Sequence, residues 1–121
     1  MRIIIVEDDK VLSLLLSKMI ERIGHEVLGI ITKGSDAIER IQSQVPDLIL
    51  MDIMLEDEID GIQAMSSLRE KGITLPVIYI TGNSDPINYE RAQKTDFLDY
   101  LIKPVGFDEL QDTISKIKID L

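Results

Sequence analysis

The sequence predicts a single doubly wound α/β domain spanning residues 1–121. Three observations carry this expectation: short aliphatic runs alternate with amphipathic helical repeats, the connections are short, and neither an internal repeat nor a low-complexity tract interrupts them.

The first run, Arg2 to Val6, is β-branched almost throughout, and later runs occupy Val27 to Thr32, Leu48 to Met51, Val77 to Ile80 and Asp99 to Ile102. Most are apolar on both faces, as expected of central strands in a parallel sheet covered on two sides. After the first strand, Leu12, Leu15, Leu16, Met19 and Ile23 recur at helical spacing, and Gly24 suits the C-terminal cap. Ala37, Ile38, Ile41 and Val45 form the next helix after Ser35, and Pro46 blocks its continuation. Ile62, Met65 and Leu68 mark the third, closed by Gly72; Phe107, Leu110, Ile114 and Ile117 mark the last. The fourth starts at Asp85 with Pro86 in its first turn and offers only Ile87, Tyr89 and Ala92 as apolar contacts. So little apolar surface implies either a short surface helix or an element that shifts between arrangements.

Composition narrows the function. A formal charge of −9, from 22 acidic and 13 basic residues, repels a phosphate backbone and argues against direct nucleic-acid binding. The absence of cysteine removes disulfides and thiolate metal sites and suits a reducing cytosol. The apolar runs are too short to span a bilayer, and no basic-then-apolar leader precedes the first strand. A soluble, cytoplasmic protein is expected.

In a doubly wound fold, ligands sit beyond the carboxyl ends of the strands. Those positions carry Glu7, Asp8 and Asp9 after strand one, Asp52 after strand three, Thr81 after strand four and Lys103 after strand five. Singly, each has an ordinary explanation: acids after a strand cap the next helix, with Asp9 the best candidate, and Lys103 before Pro104 reads as a solvated turn lysine. Together they put carboxylates, a hydroxyl and an ammonium along one edge of one sheet. If strands one and three are neighbours, Asp8 and Asp52 converge with Glu7 close by, and clustered carboxylates call for a cation. Mg²⁺ suits oxygen ligands and accepts phosphate oxygens at about 2.0–2.1 Å. With its charge offset in this way, Asp52 can attack a phosphoryl group to form an aspartyl phosphate, while Lys103 and Thr81 share the charge on the phosphoryl oxygens.

IIIVEDD, DLILMDIML, VIYITG and DYLIKP, in this order and spacing, resemble the four signature segments of the receiver domains of two-component response regulators. The resemblance covers essentially the whole chain. It implies a flavodoxin-like five-stranded parallel sheet of order 2-1-3-4-5 and a signalling phosphoacceptor that catalyses only its own phosphorylation and dephosphorylation. Asp52 would be the phosphoacceptor, Asp8 a direct ligand of Mg²⁺ (or Mn²⁺ in its place), Glu7 a ligand through water, and Met54 a ligand through its backbone carbonyl. Thr81 and Lys103 would contact the phosphoryl group, and the Lys103–Pro104 bond would be cis. Tyr100, three positions before Lys103, matches an aromatic that swings inward with Thr81; the ordinary alternative is a strand tyrosine half packed on the last helix. The implied partner is a sensor histidine kinase or histidine phosphotransfer protein. The implied output surface is the face of helix 4, strand 5 and helix 5, serving an output domain in the same chain or a homodimer.

The loop Ile53 to Gly61 departs from the family, being one residue longer than its commonest form and lacking a proline. Glu56, Asp57 and Glu58 read either as a solvated acidic run or as modulators of metal affinity, phosphoryl lifetime or kinase choice. Gly82 leaves room for a phosphoryl group and an approaching phosphatase. His25 is expected far from the site. A phosphatase of the haloacid dehalogenase type would need a second Asp at the position of Met54, and a dinucleotide-binding domain would need a Gly-rich loop after strand one. A pseudo-receiver, acting without phosphorylation, usually loses one of the residues retained here.

Overall fold

A computed structural model describes residues 1–82 and 85–117; the expected domain end at residue 121 lies outside the described residues. Five strands, β1 (Arg2–Val6), β2 (Glu26–Ile31), β3 (Leu48–Met51), β4 (Val77–Thr81) and β5 (Asp99–Ile102), alternate with five helices. The helices are α1 (Lys10–Ile23), α2 (Gly34–Gln44), α3 (Gly61–Glu70), α4 (Pro86–Gln93) and α5 (Phe107–Ile114). All strand pairs are parallel and the order is β2-β1-β3-β4-β5, the sheet expected from the sequence.

Alternation within the strands separates two cores. Ile4, Val6, Ile49, Met51, Val77 and Tyr79 pack with α2, α3 and Ala92 of α4. Ile3, Ile5, Leu48, Leu50, Ile78 and Ile80 pack with α1 and α5 on the other face. Side chains buried to this degree each contribute about 1.5–3 kcal/mol by leaving water, and they hold the sheet on which the pocket is carried.

The helix signals correspond to observed caps. Asp9 caps α1, and Gly24 closes it at φ 107°, a region glycine enters without a Cβ penalty. Asp60 begins α3 in a reciprocal capping box with Gln63. α2 leaves through Val45 at φ 45°, just before Pro46.

Several details differ from the sequence reading, among them the end of β4, which takes in Thr81. β2 is shifted by one residue, Glu26 to Ile31 instead of Val27 to Thr32, and a register irregularity opposite Ile3 and Ile4 accommodates it at the sheet edge. α5 stops at Ile114, although Ile117 still packs on its core. In α4 only Ala92 is buried; Ile87 is 66% exposed and lines an open groove with Tyr89, Tyr100 and Ile102 between α4 and β5, outside both cores. Besides Ala92 and the Tyr89 ring, which packs on Phe97 and Tyr100, α4 is held by polar contacts. Arg91 Nη2 lies 2.9 Å from Asp60 Oδ2 at the start of α3. From the other end of α3, Arg69 donates to the carbonyls of Thr95, Ile73 and Asp96 in the segments around it.

Candidate functional site

The sheet register aligns the pocket. Val6 pairs with Met51, so the next residues, Glu7 and Asp52, leave adjacent strands side by side. Asp52 N–H donates to the Val6 carbonyl at 2.9 Å and Glu7 N–H to the Ile31 carbonyl at 2.9 Å, which extends the ladder by one residue at this edge. Thr81 pairs with Ile102, and Lys103 N–H donates to the Thr81 carbonyl at 2.8 Å. Glu7, Asp8, Asp9, Asp52, Met54, Thr81, Gly82 and Lys103 line one pocket of about 400 Å³.

The three acids after β1 divide the work between local structure and the pocket. Asp9 turns outward, and its Oδ1 accepts the N–H groups of Val11 and Leu12 at 3.0 and 3.1 Å. Glu7, only 2% exposed, turns inward, and its Oε2 accepts Asp9 N–H at 3.2 Å. Asp8 lies at the exposed rim. Asp52 is 5% exposed; its Oδ1 accepts Ile53 N–H at 2.7 Å and its Oδ2 accepts the Lys103 ammonium at 3.0 Å. Lys103 Nζ also lies 2.8 Å from Glu7 Oε1, but without the directionality of a hydrogen bond.

Burial raises the pKa of Glu7, and the adjacent Asp52 raises it further. Burial likewise raises Asp8, with Glu7 adding to it. For Lys103 burial favours the neutral form, but the carboxylates of Glu7 and Asp52 beside it outweigh this and raise its pKa. These shifts describe a site with more negative charge than its lysine balances.

Oxygens of Glu7, Asp8 and Asp52 lie within 4.8 Å of one another, and a metal ion could be held there. The donor set is all carboxylate oxygen, with Glu7 and Asp52 buried, which suits a hard cation. Met54 supplies no side-chain ligand to the pocket interior, being 69% exposed. Thr81 is buried in the wall; among the described residues a Cβ at Gly82 would meet only Lys103 Cδ, at 3.9 Å. The Lys103–Pro104 peptide is cis.

Tyr100 sits elsewhere than on the last helix. Its ring lies 5.1 Å from Tyr89 of α4, 5.8 Å from Phe97 and 6.0 Å from Tyr79, on the face opposite α5. Strand parity decides this: Leu101, its neighbour, is the residue facing α5. The Tyr100 hydroxyl is buried without a hydrogen-bond partner among the described residues.

The acidic loop is not uniformly solvated. Glu56 N–H donates to the Thr32 carbonyl at 3.1 Å and Glu56 Oε2 accepts Thr32 Oγ1–H at 2.9 Å. Asp57 accepts the N–H groups of Gly34 and Ser35 at 2.8 and 3.0 Å. Glu58 is exposed. No local signal in the sequence links Asp57 to α2, because cap motifs join residues two or three apart and this contact joins residues more than twenty apart. The contacts of Arg91 and Arg69 were invisible for the same reason. His25 lies at the opposite end of the sheet, with Nδ1 2.9 Å from the Met1 amino group.

Comparison with known proteins agrees with this geometry. The family model of the response regulator receiver domain matches residues 3–115. The chain is 35% identical over 114 residues to the transcriptional regulatory protein ZraR of Escherichia coli K12, covering 94% of this chain and 25% of that protein. It is 32% identical over 109 residues to the transcriptional regulatory protein PdtaR of Mycobacterium tuberculosis, covering 90% of this chain and 52% of that protein. The chain thus spans from a quarter to about half of the length of these relatives. Among solved structures it superposes with a TM-score of 0.87 on the signal receiver domain of a modulated diguanylate cyclase from Desulfovibrio desulfuricans G20, at 34% identity, covering 95% of this chain and 90% of that one. No helix among the described residues is long and apolar enough to cross a membrane. A chain whose family match covers nearly its full length, and whose strand ends assemble this acidic pocket around a lysine, belongs to the response regulator receiver domain family.

Proposed function

We propose that the chain, residues 1–121, is a phosphoacceptor receiver domain in which Asp52 takes a phosphoryl group from a phosphohistidine of a sensor kinase or histidine phosphotransfer protein. The observation that carries this reading is the Lys103 ammonium at 3.0 Å from Asp52 Oδ2, beside the oxygens of Glu7 and Asp8. An Asp52 carboxylate oxygen attacks phosphorus, the bond from phosphorus to the donor imidazole nitrogen breaks, and the electron pair stays with that nitrogen. Lys103 and the Thr81 hydroxyl stabilise charge on the transferred oxygens. Mg²⁺, with Mn²⁺ able to replace it, would be held by Glu7, Asp8, Asp52 and the Met54 carbonyl, and would supply charge neutralisation at the phosphoryl oxygens. α1 offers the donor protein exposed Val11, Leu14 and Leu15 beside the Asp9 cap. Partners of this kind imply a cytoplasmic setting.

The acyl phosphate adds up to about one negative charge and three acceptor oxygens. Thr81 and Lys103 gain interactions in one arrangement of β4, β5 and α4 over another, so phosphorylation shifts their equilibrium, with Tyr100 moving alongside Thr81. The small buried surface of α4 makes it the element that yields, and the α4, β5 and α5 face becomes the output surface for another domain or a second copy.

The test is incubation with acetyl phosphate, with and without Mg²⁺, followed by intact mass, beside Asp52→Asn. A Mg²⁺-dependent gain of one phosphoryl group that the variant lacks supports the reading. No gain under any condition replaces it with a pseudo-receiver that works without phosphorylation.

A further inference from the structure

The loop between β3 and α3 is anchored on both sides of Met54. On one side Asp52 is fixed by its N–H bond to Val6, and the Ile53 carbonyl accepts Gly61 N–H at 2.8 Å, which closes the base of the loop. On the other, Glu56 makes its two bonds to Thr32 and Asp57 spreads its carboxylate over the first N–H groups of α2. Met54 and Leu55 are the span between the anchors. Met54 itself, with its side chain in solvent, contributes little to holding its own backbone.

α2 depends on this visiting carboxylate. Its own N-cap residue is Lys33, at φ −121° and ψ 142°, and makes no side-chain cap bond. Gly34 permits the approach: a Cβ there would run into the backbone carbonyl and side chain of Ile59. Asp57 therefore joins two elements that are separate in the sequence, and a single hydrogen-bonded group sets both the start of α2 and the path of the loop.

We infer that Asp57 is a positioning residue for the cation pocket: by capping α2 from the β3–α3 loop, it holds in place the backbone at Met54, which lines the pocket with Glu7, Asp8 and Asp52. This rests on the proposed metal site. Loss of the cap leaves the far anchor to the Glu56 bonds with Thr32 and the packing of Leu55, and the backbone at Met54 is then held less firmly. Glu58, exposed on the same loop, contributes charge without this restraint.

The discriminating experiment is Mg²⁺ titration of the unphosphorylated chain by calorimetry, with thermal unfolding recorded in parallel, for four proteins. These are the wild type, Asp57→Ala, Glu58→Gln, and Asp57→Ala combined with Lys33→Asn, which gives α2 a cap of its own and keeps the formal charge of the wild type. The wild type is expected to bind Mg²⁺. Asp57→Ala should bind about tenfold more weakly, the order seen when a partner that orients a metal ligand is removed. The double variant should regain thermal stability yet stay weak, and Glu58→Gln should change less than about threefold. Recovery of wild-type affinity in the double variant would reduce Asp57 to a helix cap and overturn the inference. Equal weakening in Glu58→Gln would also overturn it, by showing that only loop charge matters. A wild type that binds no Mg²⁺ would instead sink the metal site itself, and the inference with it.

Discussion

The Lys103 ammonium bridges two carboxylates from different strands, 2.8 Å from Glu7 and 3.0 Å from Asp52, and so ties β5 to β1 and β3 across the mouth of the pocket. Breaking a buried pair by removing one partner leaves an uncompensated charge, which costs more than the pair contributes. Here the lysine is partly exposed, so solvent tempers the loss.

Lys103→Met should therefore lower the thermal midpoint of the metal-free protein, by an amount equivalent to about 1–2 kcal/mol. Mg²⁺ should restore part of the difference by taking over charge balance at Glu7 and Asp52. Scanning calorimetry with and without Mg²⁺ reads both effects; an unchanged metal-free midpoint would show that the bridge contributes nothing.

Two glycines beside the pocket should respond oppositely to alanine. At Gly61 a Cβ would collide with the Asp52 carbonyl and lie 2.8 Å from Met51 Cγ, so Gly61→Ala should cost about 1–3 kcal/mol and displace Asp52. At Gly82 there is room, and Gly82→Ala should fall within about 0.5 kcal/mol of the wild type. Denaturant unfolding of the two variants compares them directly, and similar midpoints would contradict the packing described for Gly61.

The Tyr100 hydroxyl is buried without a partner among the described residues, whereas that of Tyr79 lies 2.6 Å from Thr95 Oγ1. Leaving a buried polar group unpaired costs about 1–3 kcal/mol, so Tyr100→Phe should leave stability unchanged or raise it. Tyr79→Phe should lower it by about 1 kcal/mol. If Tyr100→Phe proves the more damaging of the two in chemical denaturation, the hydroxyl has a partner in solution.

Burial pushes the Asp57 carboxyl up, but the N–H groups of Ser35 and Gly34 outweigh this and hold it below its ordinary 3.8. A depressed folded-state value means that the unfolded chain binds the proton more tightly. The stabilisation is full well above pH 3.8 and declines as pH falls through that value toward the folded one. Stability measured from pH 6 downward, as differences between wild type and Asp57→Asn, should converge below about pH 3.8. A difference that stays constant with pH would remove Asp57 from the acid response.

Much of the fold was legible because its signals are local. Asp85 with Pro86 marked the start of α4, Gly24 the end of α1, and the acids of IIIVEDD the end of β1. What misled was surface orientation: Ile87 looked like a core contact of α4, and Glu56 with Asp57 like solvated charge. Neither reading could be corrected from neighbours in sequence, since each depends on which element lies opposite.

The sequence by itself determined the alternation of strands and helices and the chemistry at each strand end, because hydrophobic period and capping act over a few residues. Only the tertiary structure decided that Glu7 turns inward while Asp9 turns out, that Tyr100 faces α4 and leaves α5 to Leu101, and that Asp57 caps a helix from another loop. These are choices of partner across distant segments. They follow from strand order, strand parity and close packing, which come into being only when the sheet is assembled.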